Sequence, residues 1–297
     1  MKTIVTGALQ ATDEELKMLG DLGLEITLHP DEREIVIDPG QYEAAICNGL
    51  FLYNEIEKFK NLRYVQLTSA GTDRVPMRYI REKGIELHNA AGVYSAPMAE
   101  WTLMRILELY KNAGRLFENR SWVKDRSWRE LGGKTALIVG FGANGSAIAK
   151  RLKAFDVNVF AVSRSKKESP FVDGFYKFDE LDEALGIADI VIITLALNDE
   201  TRRIMNAERF AAMKDGAIFV NAARGALVDE NALIAALKDK LFGAALDVFE
   251  LEPLPDDSPL RQLDNLLISP HNSFVGENNH ARLMALVFKN LAAAENP

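Results

Sequence analysis

The chain has 297 residues, 48% of them hydrophobic and 26% charged, the balance of a soluble globular protein with material for two cores. Acids outnumber Lys and Arg by 43 to 35, a formal charge of -8, which excludes a generally basic surface for nucleic acid or anionic lipid and leaves any bound anion to local charge. The single cysteine, Cys47, excludes an internal disulfide and suits a reducing compartment.

The N-terminus "MKTIVTGALQ" lacks the long apolar core of a signal peptide, and nowhere do about eighteen apolar residues run uninterrupted. The expected location is therefore the cytoplasm, with neither membrane nor nucleic acid as partner. From residue 2 to about 90, the runs "TIV", "LEITL", "EAAIC", "RYVQL" and "IEL" alternate with helical stretches such as "TDEELKMLGDLG" and "VPMRYIREKG". This alternation predicts parallel strands joined by crossover helices. The segment "YSAPMAEWTLMRILELYKNAGRLFENRSWVKDRSWRELGG" follows, read as a linking helix plus an arm and carrying Trp101, Trp122 and Trp128. From about 134 the strand series restarts as "TALIVG", "VNVFAV", "DIVIITLAL", "GAIFVNAA", "GAALDVF" and "NLLISP". Such near-continuous apolar strands are expected where helices cover both faces of a sheet. The last stretch, "HARLMALVFKNLAAAE", has helical spacing and is expected to return to the first domain.

Gly140, Gly142 and Gly145 form a G-x-G-x-x-G turn after "TALIV", and beyond it Ile148, Leu152 and Phe155 recur at helical spacing. The first glycine permits the bend, the second lets backbone approach a pyrophosphate, and the third lets the helix pack on the strand. The helix start, with Ala143 and Asn144, offers free N–H groups and the positive end of its dipole. A chain selective for NAD carries Asp or Glu about twenty residues on, to bind the adenosine ribose. Here Ser163, Arg164, Ser165, Lys166 and Lys167 stand at that place. A hydroxyl and cations attract a 2′-phosphate through charge-assisted hydrogen bonds, so NADP(H) is the expected preference, with NAD(H) possible. The competing reading is a solvated basic turn.

Candidates for proton transfer and substrate binding should follow strand ends. Arg224 in "FVNAARGALVDE", Glu252 in "LDVFELEP" and His271 in "LLISPHNS" each do. His29, His88 and His280 lack such context, and four scattered histidines with one cysteine form no metal-ligand spacing, so no metal is expected.

The ordered motifs "VGFGANG", "VNAARGALVDENALIAAL", "AALDVFELEP" and "LISPHNS", with "LTSAGTDRV" and "NAAGVYSAPMAEWTL", resemble the D-isomer-specific 2-hydroxyacid dehydrogenases, including glyoxylate/hydroxypyruvate reductases and phosphoglycerate dehydrogenase. The resemblance implies an α/β fold: a Rossmann doubly wound parallel sheet over 93–272, with a second, flavodoxin-like α/β substrate domain over 1–92 and 273–297. It implies reduction of small 2-keto acids to D-2-hydroxy acids, for which the basic turn at Ser163–Lys167 makes NADPH the expected donor. Arg224 then grips the substrate carboxylate, His271 gives a proton to the carbonyl oxygen, and Glu252 fixes the imidazole ring and favours its charged form. Ser69, Ala70 and Gly71 offer backbone N–H groups to the substrate, while Asp247 lies by the nicotinamide carboxamide and Ala222 is a further cofactor-binding position. Phe51, Leu52 and Tyr53 are plausible substrate walls, and the arm around "FENRSWVKDRSWREL" implies a homodimer. Asn144, Asn198 and "HNSF" depart from the family pattern, and a further regulatory domain is not expected. The rival reading is a dinucleotide-sensing, corepressor-like binding protein.

Overall fold

The computed structural model describes residues 1–114, 124, 126–164 and 168–294. The chain divides into two compact units, Met1–Tyr94 with Gly276–Pro297, and Ser95–Val275.

The first unit runs β1 (Lys2–Thr6), α1 (Asp13–Asp21), β2 (Glu25–His29), β3 (Ala44–Cys47), α2 (Leu50–Tyr53), β4 (Tyr64–Leu67), α3 (Met77–Lys83) and β5 (Glu86–His88). The strands form one parallel sheet in the order β2-β1-β3-β4-β5, with Ile4 opposite Ala45 and Ala45 opposite Val65. This is the flavodoxin-like order. β3 and β4 are buried along their whole length, which explains why "AAIC" and "YVQL" read as continuous runs rather than alternations. β2 lies at the sheet edge and leaves Leu28 half exposed. The sequence T-x-x-E starts α1 with a capping box: the Thr12 hydroxyl accepts the Glu15 N–H at 3.2 Å, and Glu15 Oε2 accepts the Thr12 N–H at 2.8 Å.

The C-terminal helix Asn279–Ala293 completes this unit by burying Leu283, Met284, Val287 and Leu291 with Val5, Leu9 and Leu19. Polar ties reinforce it, since Arg282 Nε donates to Val93 O at 2.7 Å and Asn290 Nδ2 donates to Gln66 Oε1 at 2.8 Å.

The second unit begins with α4 (Ser95–Lys111) and continues through β6 (Thr135–Val139), α5 (Ala143–Lys153), β7 (Asn158–Val162), β8 (Gly174–Tyr176), α6 (Leu181–Ile187) and β9 (Ile190–Ile193). α7 (Ala207–Ala212), β10 (Ile218–Asn221), α8 (Glu230–Asp239), β11 (Gly243–Leu246) and β12 (Leu266–Ile268) follow; the C-terminal helix is α9. Every strand is parallel, in the order β12-β11-β10-β9-β6-β7-β8. The order reverses between β6 and β9, the switch point of a doubly wound Rossmann sheet. Alternate residues of β6 serve opposite faces. Leu137 and Val139 pack with Leu185, Phe210 and Leu233 on one side, while Ala136 and Ile138 pack with Ile106, Ile148 and Leu152 on the other. Among the described residues no helix is long and apolar enough to cross a membrane. Trp122 lies outside the described residues, as do 115–123 and 125 of the arm on which the dimer expectation rests.

Candidate active site

At the end of β6 the chain bends at Gly140, whose φ is +96°. A Cβ there would stand 2.8 Å from Leu195 Cδ2, and one at Gly145 would stand 2.7 Å from Gly140 O, so the turn admits glycine alone at both positions. The Thr194 hydroxyl donates to Gly140 O and ties the turn to the end of β9. Gly142 differs, because a Cβ on it would meet nothing within 4 Å. It begins α5 with no side-chain cap, leaving the helix's first N–H groups beside a cavity of about 440 Å³ lined by Gly142, Ala143, Ser146, Glu168, Ser169 and Phe171. Open space, uncapped donors and a helix dipole fit a dinucleotide's pyrophosphate. Asn144 contributes backbone only: its side chain turns to α4, accepting from the Ser95 hydroxyl at 2.6 Å and donating to Met98 Sδ at 3.3 Å.

Ser163 follows β7, is buried, and donates its N–H to Tyr176 O at 3.1 Å. Arg164 Nη2 meets Glu200 Oε2 at 2.9 Å with both side chains largely exposed. Glu200 sits in the loop after β9, shaped by Asn198, whose Oδ1 accepts the Glu200 and Thr201 N–H groups, each at 3.0 Å. Ser165, Lys166 and Lys167 lie outside the described residues.

Arg224, Glu252 and His271 follow the C-terminal ends of β10, β11 and β12. Asn221, fully buried at the end of β10, accepts the Ala223 N–H at 3.0 Å and donates to Arg224 O at 2.9 Å, a side-chain turn that presents Arg224. Arg224 Nη1 donates to Ala223 O at 2.8 Å. The next residue, Gly225, is pressed against the loop after β11, where a Cβ would lie 1.9 Å from the Phe249 carbonyl carbon. That contact sets the Arg224 turn against the loop carrying Glu252. Glu252 Oε1 accepts the Phe249 N–H at 3.0 Å, and its Oε2 lies 2.7 Å from His271 Nδ1. The imidazole is thereby held through one nitrogen, with Nε2 as the ring nitrogen not engaged by Glu252. Roughly a third of each side chain is exposed.

His271 has φ +50°, a left-handed conformation that costs a non-glycine residue about 1–2 kcal/mol. Its N–H donates to Asp247 O at 2.8 Å and Ser269 O at 3.0 Å. The Asp247 carboxylate is fully buried and accepts from the Ser269 hydroxyl at 2.6 Å and from the Asn272 and Ser273 N–H groups at 2.9 and 2.8 Å. Ala222, which follows β10, is buried.

In the first unit, Ser69, Ala70 and Gly71 form the loop after β4. Ser69 Oγ donates to Gly71 O at 3.0 Å, and Asn89 Nδ2 donates to Ala70 O at 2.8 Å. No hydrogen bond within the described residues engages the backbone N–H groups of these three residues. Phe51, Leu52 and Tyr53 lie on α2, with Leu52 and Tyr53 more than half exposed. No local pattern singles out Glu32, yet its carboxylate accepts from the Thr6 hydroxyl at 2.7 Å and from the Asn48 and Gly49 N–H groups at 2.6 Å, fixing the start of α2. His88 pairs with Glu86 at 2.6 Å and His280 with Glu15 at 2.9 Å. No group of three or more metal-binding side chains occurs among the described residues. Ser269, Gly225 and Glu200 were also missed; "LISPHNS" and "ARG" carried the only local signals, the small residues flanking His271 and Arg224.

Residues 101–273 match the model of the D-isomer specific 2-hydroxyacid dehydrogenase NAD binding domain. A glyoxylate reductase of Thermofilum pendens is 36% identical over 245 residues, 78% of this chain and 72% of that protein. A D-3-phosphoglycerate dehydrogenase of Methanocaldococcus jannaschii is 38% identical over 280 residues, 91% of this chain but 53% of that protein. Among solved structures, a D-isomer specific 2-hydroxyacid dehydrogenase of Xanthobacter autotrophicus Py2, in complex with NADPH and MES, superposes with a TM-score of 0.79 at 28% identity, covering 98% of this chain and 93% of that one.

Proposed function

The chain belongs to the D-isomer specific 2-hydroxyacid dehydrogenase family, oxidoreductases that use a nicotinamide dinucleotide, and on that premise we propose a reductase of glyoxylate- and hydroxypyruvate-type 2-keto acids that prefers NADPH. The observation that carries the reading is the 2.7 Å pairing of His271 Nδ1 with Glu252 Oε2, with the Glu252 loop set against the Arg224 turn at Gly225. The chemistry that a bound reduced nicotinamide supplies is hydride transfer to the keto carbon. Arg224 grips the substrate carboxylate with two parallel hydrogen bonds, fixing which carbonyl is presented. His271 holds a proton on Nε2 and delivers it to the carbonyl oxygen, while Glu252 accepts the Nδ1 hydrogen and stabilises the imidazolium before transfer. The Ser69, Ala70 and Gly71 N–H groups serve the substrate carboxylate. The Gly142–Asn144 backbone holds the pyrophosphate, with Asp247 on the nicotinamide side and Ala222 as a further cofactor-binding position, and Ser163 and Arg164 receive the 2′-phosphate. Relatives solved with NADPH and with NAD support a nicotinamide dinucleotide, and the preference for NADPH rests on the Ser163–Arg164 position.

The test is loss of reduced-nicotinamide absorbance with a panel of 2-keto acids, comparing kcat/KM for NADPH and NADH. His271→Ala is expected to lower kcat by about 100-fold or more, and Arg224→Ala to raise KM and lower kcat together. Full turnover in the histidine variant refutes the proton donor; an NADH preference in the parent removes the NADPH assignment. Absence of turnover with every acid would favour the corepressor-like reading instead.

A further inference from the structure

We infer that Ser269 is a positioning residue for His271, linking the buried Asp247 carboxylate, and with it the whole histidine loop, to Trp101 of α4. Ser269 Oγ donates to Asp247 Oδ1 at 2.6 Å and accepts from Trp101 Nε1 at 3.2 Å. All three residues are buried. A hydroxyl does both jobs through a single atom, matching an indole that can only donate and a carboxylate that can only accept. The same carboxylate takes the Asn272 and Ser273 N–H groups, and Asp247 O takes that of His271. The chain thus approaches one carboxylate with Ser269, rises over it at His271, and returns to it with Asn272 and Ser273. A left-handed φ of +50° at His271 persists only where surrounding bonds over-determine it.

Removing the Ser269 hydroxyl takes one donor from a buried carboxylate and the acceptor from the Trp101 N–H. Backbone bonds still hold β12 to β11 and the Ser269 N–H to Leu246 O, so the shift falls on the segment between Ser269 and His271. A shift of about 1 Å at a catalytic group costs up to 100-fold in rate, and it also parts the ring from Glu252, which is fixed separately by the Phe249 N–H.

The inference rests on the proposed role of His271, so its test has a readout that needs no turnover. In the protein without cofactor or substrate, 15N-edited NMR should show a slowly exchanging His271 Nδ1–H resonance, assigned by its loss in His271→Gln. Ser269→Ala should broaden or abolish that resonance and lower kcat about tenfold to 100-fold with the NADPH Kd within about twofold of the parent. Ser269→Thr, which keeps the hydroxyl, should restore both. Trp101→Phe removes only the outer donor and should broaden the resonance less, which keeps the inference testable should Ser269→Ala fail to fold. An unchanged His271 ring signal in either folded variant overturns it, whatever the kinetics. A parent inactive on all 2-keto acids would sink the reductase reading while the ring signal still decides the positioning role.

Discussion

Arg164 carries a carboxylate of its own protein, Glu200, at 2.9 Å, where a phosphate is proposed to bind. Both side chains are largely exposed, and such a pair contributes only ~0–1 kcal/mol, too little to keep out a doubly charged phosphate. Glu200→Gln is expected to raise kcat/KM for NADPH about two- to fivefold and to leave that for NADH unchanged. Equal gains with both cofactors would show that Arg164 does not read the 2′-phosphate. Gly225 sets a stricter limit, since no rotation relieves a Cβ 1.9 Å from backbone carbon. Gly225→Ala should destabilise the chain by at least the ~1–3 kcal/mol usual for over-packing and should lower turnover in whatever fraction folds. A thermal melt beside an activity assay checks both.

At the scale of elements, α1 and α9 are joined by His280 and Glu15, whose carboxylate already serves the α1 capping box. The Thr12 backbone N–H does most to hold Glu15 below its ordinary 4.5; burial opposes it, and His280 adds to the lowering. Because the folded state depresses this acid, its stabilising contribution is complete above the ordinary glutamate range and is lost as pH falls through and below it. Melting temperatures from pH 7 down to 3 should therefore drop less steeply in Glu15→Gln than in the parent. Thr12→Ala should cost about 1 kcal/mol at neutral pH.

Legibility followed the physics of burial. The central strands read clearly as apolar runs because both faces of each sheet are covered, and the ends of those runs located Arg224, Glu252 and His271. β8 was missed: three half-buried residues at a sheet edge leave no pattern. The α1 cap rests on a four-residue spacing, T-x-x-E, whereas the Ser269–Trp101 bond spans 168 positions and no local spacing encodes it. The basic turn draws attention to Arg164, but no local signal points to its partner Glu200, 36 positions away. Asn144 looked like an anomaly of the phosphate turn; its side chain serves helix packing instead, which sequence position alone does not reveal.

The whole molecule is two bodies, each with its own parallel sheet, and the second is inserted between Tyr94 and Gly276 of the first. Removing residues 277–297 should therefore melt the first unit, which loses Leu283, Met284, Val287 and Leu291, and leave the secondary structure of residues 95–275 in place. Limited proteolysis with mass spectrometry would check this, and simultaneous loss of both bodies would contradict it. The same insertion fixes a timetable for manufacture. As the ribosome releases the polypeptide, the inner body is complete once residue 275 has cleared the exit tunnel, while the outer one still waits for the strip of α9 that lies over β1 and α1. The half that emerges earliest is the half that matures last, and until then its uncovered Val5, Leu9 and Leu19 are the surface a chaperone would find.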